Sequence, residues 1–141
     1  MFYFAYGSNM NHEQMRKRCP YSNFVGAAYL NNAGFRYDGF SGAWNDKAVA
    51  NIVSNDGEKV WGGLFEVSEN DLAKLDRHEG FPKSYGKKVA HVIDAEGNTY
   101  DAWVYFRIGE MKGDPSEKYR KVVLEGARDC NLPEDYVVKN I

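Results

Sequence analysis

Three groups of residues in this 141-residue chain could carry chemistry. The first is Tyr6-Gly7-Ser8-Asn9, which stands between an apolar run and a polar, helix-forming segment. A strand-to-helix turn containing glycine exposes backbone N–H groups, and the helix N-terminus adds positive partial charge. Such a turn suits a carboxylate or a phosphate. The same residues also read as an ordinary tight turn in which Ser8 or Asn9 caps the helix. The turn has no Gly-Lys-Ser/Thr of a P-loop and none of the further glycines of a dinucleotide fingerprint. It is not a nucleophile elbow, because Asn9-Met10 follows Ser8.

The second candidate is Glu79. Leu72 and Leu75 fall on one face of an expected helix, and Asp76 and Glu79 continue that stripe. A carboxylate at the end of an apolar face loses water, so its pKa rises and it becomes a better base. The other reading is a solvated glutamate in a last turn, where the helix dipole disfavours an acid. That mis-siting separates Glu79 from Glu66 and Glu69. The third group is Tyr85, Tyr105 and Tyr119, each able to give a hydroxyl to a pocket or a ring to the core. His78 should point about 100° away from Glu79 around the helix, toward the surface. A hydrolytic pair of Ser8 and His78 therefore has little support.

The elements that would position these groups follow from patterning. Residues 2–6 read as a buried strand and residues 9–18 as a short helix ending before Pro20. Residues 24–37 carry a broken β pattern with turn-like Asn31-Asn32, and residues 40–46 read as a Gly-rich loop. Residues 48–54 and 59–67 read as strands joined by a hairpin turn at Asn55-Asp56-Gly57-Glu58. Ser68 resembles an N-cap, with Glu69 and Asp71 in the first turn of a helix that ends near Gly80. Residues 85–93 and 99–106 form a second hairpin around Ala95-Glu96-Gly97-Asn98. Residues 115–131 form the longest helix, with Tyr119, Val122, Val123, Gly126, Ala127 and Cys130 on one face. Leu132-Pro133 breaks it before a short terminal helix. Hairpins with few helices between them predict an α+β fold, and two aromatic-rich hairpins could curl into a small barrel.

Composition narrows the class. The length suits a single domain spanning residues 1–141. A net charge of −2 argues against a nucleic-acid partner. No stretch approaches a membrane span, and the N-terminus lacks the basic region of a signal peptide, so a soluble cytoplasmic protein is expected. Cys19 and Cys130 form no CxxC pair, and His12, His78 and His91 have no ligand spacing, so neither a disulfide framework nor a metal site is expected. Aromatics make up 15% of the chain, 10 of them Tyr, which suits a pocket that is dry yet able to hydrogen-bond.

Taken in order, several segments closely resemble the γ-glutamylcyclotransferase family, in its γ-glutamyl amino acid branch. They are Phe4-Ala5-Tyr6-Gly7-Ser8-Asn9-Met10, Val60-Trp61-Gly62-Gly63-Leu64, Leu75-Asp76-Arg77-His78-Glu79-Gly80, Tyr85 and Pro115-Ser116-Glu117-Lys118-Tyr119. Gly126-Ala127 and Leu132-Pro133-Glu134-Asp135-Tyr136 extend the match toward the C-terminus. The resemblance implies an α+β fold, a small mixed β-barrel with flanking helices of the AIG2-like kind. It implies conversion of γ-glutamyl amino acids or amines to 5-oxoproline and the free amine, without metal or cofactor. It implies that Glu79 is the acid/base and that the substrate lies along Tyr3, Phe4, Ala5, Tyr6, Gly7, Ser8 and Asn9, with Tyr119 and Tyr85 lining the glutamyl pocket. The partner so implied is a small γ-glutamyl molecule, with neither nucleic acid nor membrane. Animal members imply a homodimer, although no apolar stripe here marks an interface. Phe81-Pro82-Lys83-Ser84 is shorter than the corresponding animal loop, and residues 40–46 also depart from it, which leaves the leaving group open.

The chemistry fits these residue types. The substrate's α-amine must attack its own γ-carbonyl, and that amine is ordinarily protonated, with a pKa of about 8. One carboxylate can remove a proton from it and later deliver one to the leaving amine. Anchoring the α-carboxylate would fold the flexible glutamyl chain toward ring closure. Three alternatives remain open at this stage. They are a γ-glutamylamine or biosynthetic intermediate as substrate, a non-enzymatic small-carboxylate binding module on the same fold, and, more distantly, a serine hydrolase using Ser8.

Overall fold

The computed structural model describes residues 1–41, 44, 47–108 and 111–141. Among the described residues, ten elements follow one another. They are β1 (Phe2–Ala5), a 3₁₀ turn (Ser8–Met10), α1 (His12–Arg18), β2 (Asn23–Ser41), β3 (Lys47–Glu66), α2 (Glu69–Glu79), β4 (Tyr85–Asp94), β5 (Thr99–Arg107), α3 (Glu117–Asp129) and α4 (Glu134–Asn140). The five strands close into a barrel in the order β1-β3-β2-β4-β5. All neighbours are antiparallel except β1 and β5, which pair in parallel at Phe2–Ala102 and Tyr3–Trp103. This is the mixed α+β barrel that the resemblance implied. Phe4, Val60, Leu64, Val92 and Val104 fill its interior. Alternation along each strand sends these side chains inward.

The largest departure from the sequence reading concerns β2 and β3. The expected hairpin turn at residues 55–58 does not reverse the chain. β3 runs straight through it, and β2 runs through Asn31-Asn32, so each is one long strand. The two irregularities face each other: Ala33 pairs with Ser54 and Asn31 with Lys59, leaving residues 55–58 looped out opposite Asn32. Gly57 adopts φ 83°, and its N–H donates to Asn32 Oδ1 at 3.1 Å. Turn chemistry is thus satisfied within a bulge. A local window cannot show that both flanks prefer β2 as partner over each other. In the expected loop 40–46, Phe40 and Ser41 continue β2, and residues 42, 43, 45 and 46 lie outside the described residues.

The helices follow their end signals closely. Ser68 and Asp71 form a reciprocal capping box on α2, and Gly80 closes it in the left-handed conformation at φ 70°. α1 begins later than the sequence suggests. Its cap is Asn11, whose side chain accepts from the Gln14 N–H, and not Ser8 or Asn9, which belong to the 3₁₀ turn. α3 begins after Ser116, which caps it, and buries Tyr119, Val123, Gly126 and Ala127. None of the described helices is long and apolar enough to cross a membrane.

Candidate active site

Strand β1 ends inside the barrel wall, and the chain turns at Gly7 into the 3₁₀ turn. The close approach of this turn to β3 and α3 requires glycine. A Cβ on Gly7 would lie 3.0 Å from Ala50 Cβ and 3.2 Å from the Tyr119 hydroxyl. The turn forms one wall of a cavity of about 290 Å³, small but large enough for a polar metabolite. α2 forms the facing wall and brings in Glu79, while β4 contributes Tyr85, β5 Tyr105, and α3 Tyr119.

Asn9 ties the turn to Glu79. Its Nδ2 donates to the Tyr3 hydroxyl at 2.9 Å and to Glu79 Oε1 at 3.4 Å. Its Oδ1 accepts from Arg18 Nη1 at 2.8 Å and from Gln14 Nε2 at 3.0 Å. All four contacts fix the amide in one orientation. The inner face of α2 is clamped separately. Asp76 accepts from the Tyr105 hydroxyl at 2.6 Å and from Lys87 Nζ at 2.8 Å. Glu79 lies one turn of helix beyond Asp76, so this clamp sets where its carboxyl points.

Burial pushes the Glu79 carboxyl up to about 7, and the nearby Arg18 and Arg107 restrain the rise. Desolvation of the charged form outweighs the attraction of the two cations. A carboxyl poised there is close to half-ionised at neutral pH, which suits a group that must both take and give a proton. Burial also raises the hydroxyls of Tyr3, Tyr6, Tyr85 and Tyr119, with the Glu79 charge adding to the effect in each. They stay protonated and act as hydrogen-bond groups. Tyr119 accepts the Ala50 N–H at 2.9 Å, leaving its own proton to donate. Tyr85 donates to the Ala50 carbonyl at 3.3 Å, and Tyr6 to the Tyr105 carbonyl at 2.6 Å.

Of the residues singled out from the sequence, Tyr3, Phe4, Tyr6, Gly7, Ser8, Glu79, Tyr85 and Tyr119 line this one cavity. Ala5 does not; it is buried in the barrel wall opposite Gly63. Asn9 does not line it either; it is buried and donates to Glu79. His78 is exposed, as helix geometry predicts, and reaches the rim. Ser8 Oγ accepts from Gln14 Nε2 at 2.8 Å, an amide that cannot serve as a base.

Sequence reasoning missed Ala50, Trp44, Arg18 and Arg107, all of which line the cavity. Trp44 packs edge-on to Tyr119 with ring centroids 4.8 Å apart. Arg18 closes a basic run that reads as a solvated helix face. Arg107 had a usable signal, because alternation along β5 places it on the same face as Tyr105. Ala50 offers only backbone groups, and no side-chain pattern could have marked it.

The model of the AIG2-like family matches residues 59–139, more than half of the chain. The chain belongs to the AIG2-like family. Among its AIG2-like relatives, the mouse protein named gamma-glutamylcyclotransferase is 29% identical over 97% of this chain and 75% of the mouse protein. The human protein of the same name is likewise 29% identical over the same shares. A solved structure named gamma-glutamyl cyclotransferase superposes with a TM-score of 0.93 at 28% identity, covering 99% of this chain and 85% of that one.

Proposed function

We propose that this AIG2-like protein is a γ-glutamylcyclotransferase in which Glu79 is the acid/base. The observation that carries this reading is the meeting, in one small cavity, of a carboxyl raised to about 7 with the Tyr6-Gly7-Ser8 turn. The naming of relatives that align over nearly the whole chain supports it.

In this reading the turn, together with Arg18, holds the α-carboxylate of the γ-glutamyl group. Tyr119 and Tyr85 border the glutamyl chain and keep it bent. Glu79, as carboxylate, takes a proton from the α-ammonium. The freed amine nitrogen attacks the γ-carbonyl carbon, forming the ring C–N bond of 5-oxoproline. The γ-amide C–N bond breaks as Glu79, now a carboxylic acid, gives its proton to the departing nitrogen, and the carboxylate so regenerated takes the second proton from the ring nitrogen and passes it on, so that the amine leaves as its ammonium. Atoms and charge balance with no redox step and no water consumed, so the reaction as written calls for no cofactor. Because the attack is intramolecular, holding the reactant in the bent shape supplies much of the acceleration.

Residues 1–141 act as a single domain in this reading, in the cytoplasm and as a homodimer, on a small-molecule substrate and with no nucleic-acid or membrane partner. Light scattering on the purified protein checks the dimer. The reaction is tested by 5-oxoproline release from γ-glutamyl dipeptides, glutathione and γ-glutamylamines, with Glu79→Gln run alongside. Turnover of one class, abolished in the variant, supports the reading. Binding of small carboxylates by a folded protein that forms no product from any of them refutes it in favour of a binding module.

A further inference from the structure

A second cavity, also of about 290 Å³, lies where β2 and β4 part. The two strands are laddered only at Ala28–Asp94 and Tyr29–Ile93. Away from those pairs β2 stays bonded to β3, and β4 stays bonded to β5 back to Tyr85. Leu30 and Ala33 line the gap from β2, and Lys88 and Ala90 line it from β4. Ile52 and Phe106 line it as well. This is a different place from the candidate active site: of the described residues, Arg107 alone lines both cavities.

The hydrogen-bond phase of β4 fixes which groups face the gap. In an antiparallel ladder each residue turns its N–H and C=O to one side, and successive residues alternate. The Ile108 N–H donates to the Ser84 carbonyl at 3.1 Å, and the Asp94 N–H donates to the Asn98 carbonyl at 2.9 Å. The register between β4 and β5 is unbroken between these bonds, so even-numbered residues face β5. Lys87, Val89 and His91 therefore turn their backbone groups the other way, toward the side on which Ile93 meets β2. On β2 the Gly39 N–H donates to the Met111 carbonyl at 2.6 Å, and the Tyr37 carbonyl accepts from the Gly113 N–H at 3.4 Å. Odd-numbered residues there face away from β3, and an even register from Ala33 to Asp38 gives Ala33 and Phe35 the same direction. Among the described residues, no strand ladder continues onto either edge and no turn bond reaches it. Two unpaired strand edges thus border one cavity, and such edges are templates for another strand.

We infer that β4 is the docking edge for an extended acidic peptide, which adds as an antiparallel strand and turns alternate side chains into the second cavity. Charge selects this occupant. Lys88 is exposed with its Nζ 5.6 Å from the centre of the Phe106 ring, and no Asp or Glu is among the described residues that line the cavity. A second copy pairing through the same edge would set Lys87 and Lys88 against their own counterparts, which like-charge repulsion disfavours. The peptide residue opposite Val89 exchanges both backbone bonds with it. Its two neighbours lie opposite Ala90 and Lys88, on the face that leads to the fully buried Val92, because directly opposed residues share a face. The antiparallel direction makes the residue opposite Ala90 come first. It finds Leu30 and Ile52 in the same cavity and is apolar, whereas the residue opposite Lys88 is acidic. Main-chain bonds give the affinity, and this apolar-x-acidic spacing gives the selectivity. Neither Glu79 nor the Tyr6-Gly7-Ser8 turn takes part.

The probe is the peptide acetyl-TVTET-amide, titrated into isotope-labelled protein and followed by NMR. The amides of Lys87, Val89 and His91 should shift saturably, and exchange of the Val89 N–H with solvent should slow by at least about fivefold. N-methylating the central threonine removes its donor and crowds the edge, so binding should weaken by about tenfold or more. Lysine in place of the peptide's glutamate should weaken binding about threefold or more at low salt. Lys88→Glu, an exposed substitution, should reverse that preference, so that the lysine peptide binds better. No saturable shift up to about 1 mM peptide overturns the assignment. Equal binding of the N-methylated peptide, or a charge preference that Lys88→Glu leaves unmoved, overturns it as well. Protection of the Val89 N–H that is present without peptide and grows with protein concentration places a second copy on the edge and likewise overturns it.

Discussion

Replacing Glu79 by Gln should remove activity and, above neutral pH, make the protein more stable. In the unfolded chain this carboxyl titrates near 4.5, whereas burial in the folded protein moves it to about 7. Between those values the folded state holds a proton that the unfolded chain has released. Stability therefore falls as pH rises through this window and levels off above it. The gap corresponds to about 3 kcal/mol, reduced to about 2 kcal/mol by partial access to water at the cavity mouth. Gln keeps the acceptor that Asn9 Nδ2 uses and carries no charge to desolvate, so the variant escapes the penalty. Urea unfolding near pH 8 should show Glu79→Gln more stable by about 2–3 kcal/mol, or about 5–10 °C in Tm for a chain of this size. Near pH 4.5 the two proteins should agree within about 0.5 kcal/mol, since the carboxyl is then mostly neutral in the folded state and only half-ionised in the unfolded chain. Over the same preparations, 5-oxoproline formation should drop by at least about 10² to 10⁴. A stability difference that does not change with pH would show that the carboxyl titrates normally and would refute the reasoning. Retained turnover would refute the role.

Tyr119→Phe removes the acceptor of the buried Ala50 N–H at 2.9 Å, and equilibrium unfolding should show a loss of about 1–3 kcal/mol. Gly7→Ala presses a methyl against Ala50 Cβ at 3.0 Å and the Tyr119 hydroxyl at 3.2 Å. It should shift the turn and raise KM for a γ-glutamyl dipeptide about tenfold or more, as steady-state kinetics would show. Gly126→Ala should destabilise, although alanine is the better helix former by about 1 kcal/mol. Its Cβ would meet Asn11 N at 2.5 Å and Met10 C at 2.7 Å, so α3 must move off the 3₁₀ turn. A rise in Tm for that variant would show the contact to be loose. The kcat/KM profile of wild-type protein should rise through about pH 7 as Glu79 ionises, a limb that Glu79→Gln abolishes.

The local signals were strong where one segment contains its own physics. Ser68, Asp71 and Gly80 announce both ends of α2, and the stripe Leu72, Leu75, Asp76, Glu79 places a carboxylate on an apolar face before any partner is known. The tyrosines were visible as types but not as a set, because a lone ring reads equally well as core. The 55–58 segment shows the opposite case. Its Asp-Gly pair is a sound turn signal, yet the flanking strands pair with β2, and the turn survives only as a bulge around Gly57.

By itself the sequence determined the residue types of the candidate site, the α+β class, and the helix that carries Glu79. The reason is that caps, periodicity and glycine turns act over a few residues. Closure of the barrel, the uninterrupted course of β2 and β3, and the meeting of Gly7, Ala50, Tyr85, Tyr119 and Arg107 were decided only by the tertiary structure. Those contacts join positions far apart in the chain, and their free energy comes from burial and shared hydrogen bonds that no local window contains. The acidity of Glu79 belongs to the same class. The carboxyl is ordinary in isolation, and it is raised to about 7 by the walls that the barrel and helices close around it.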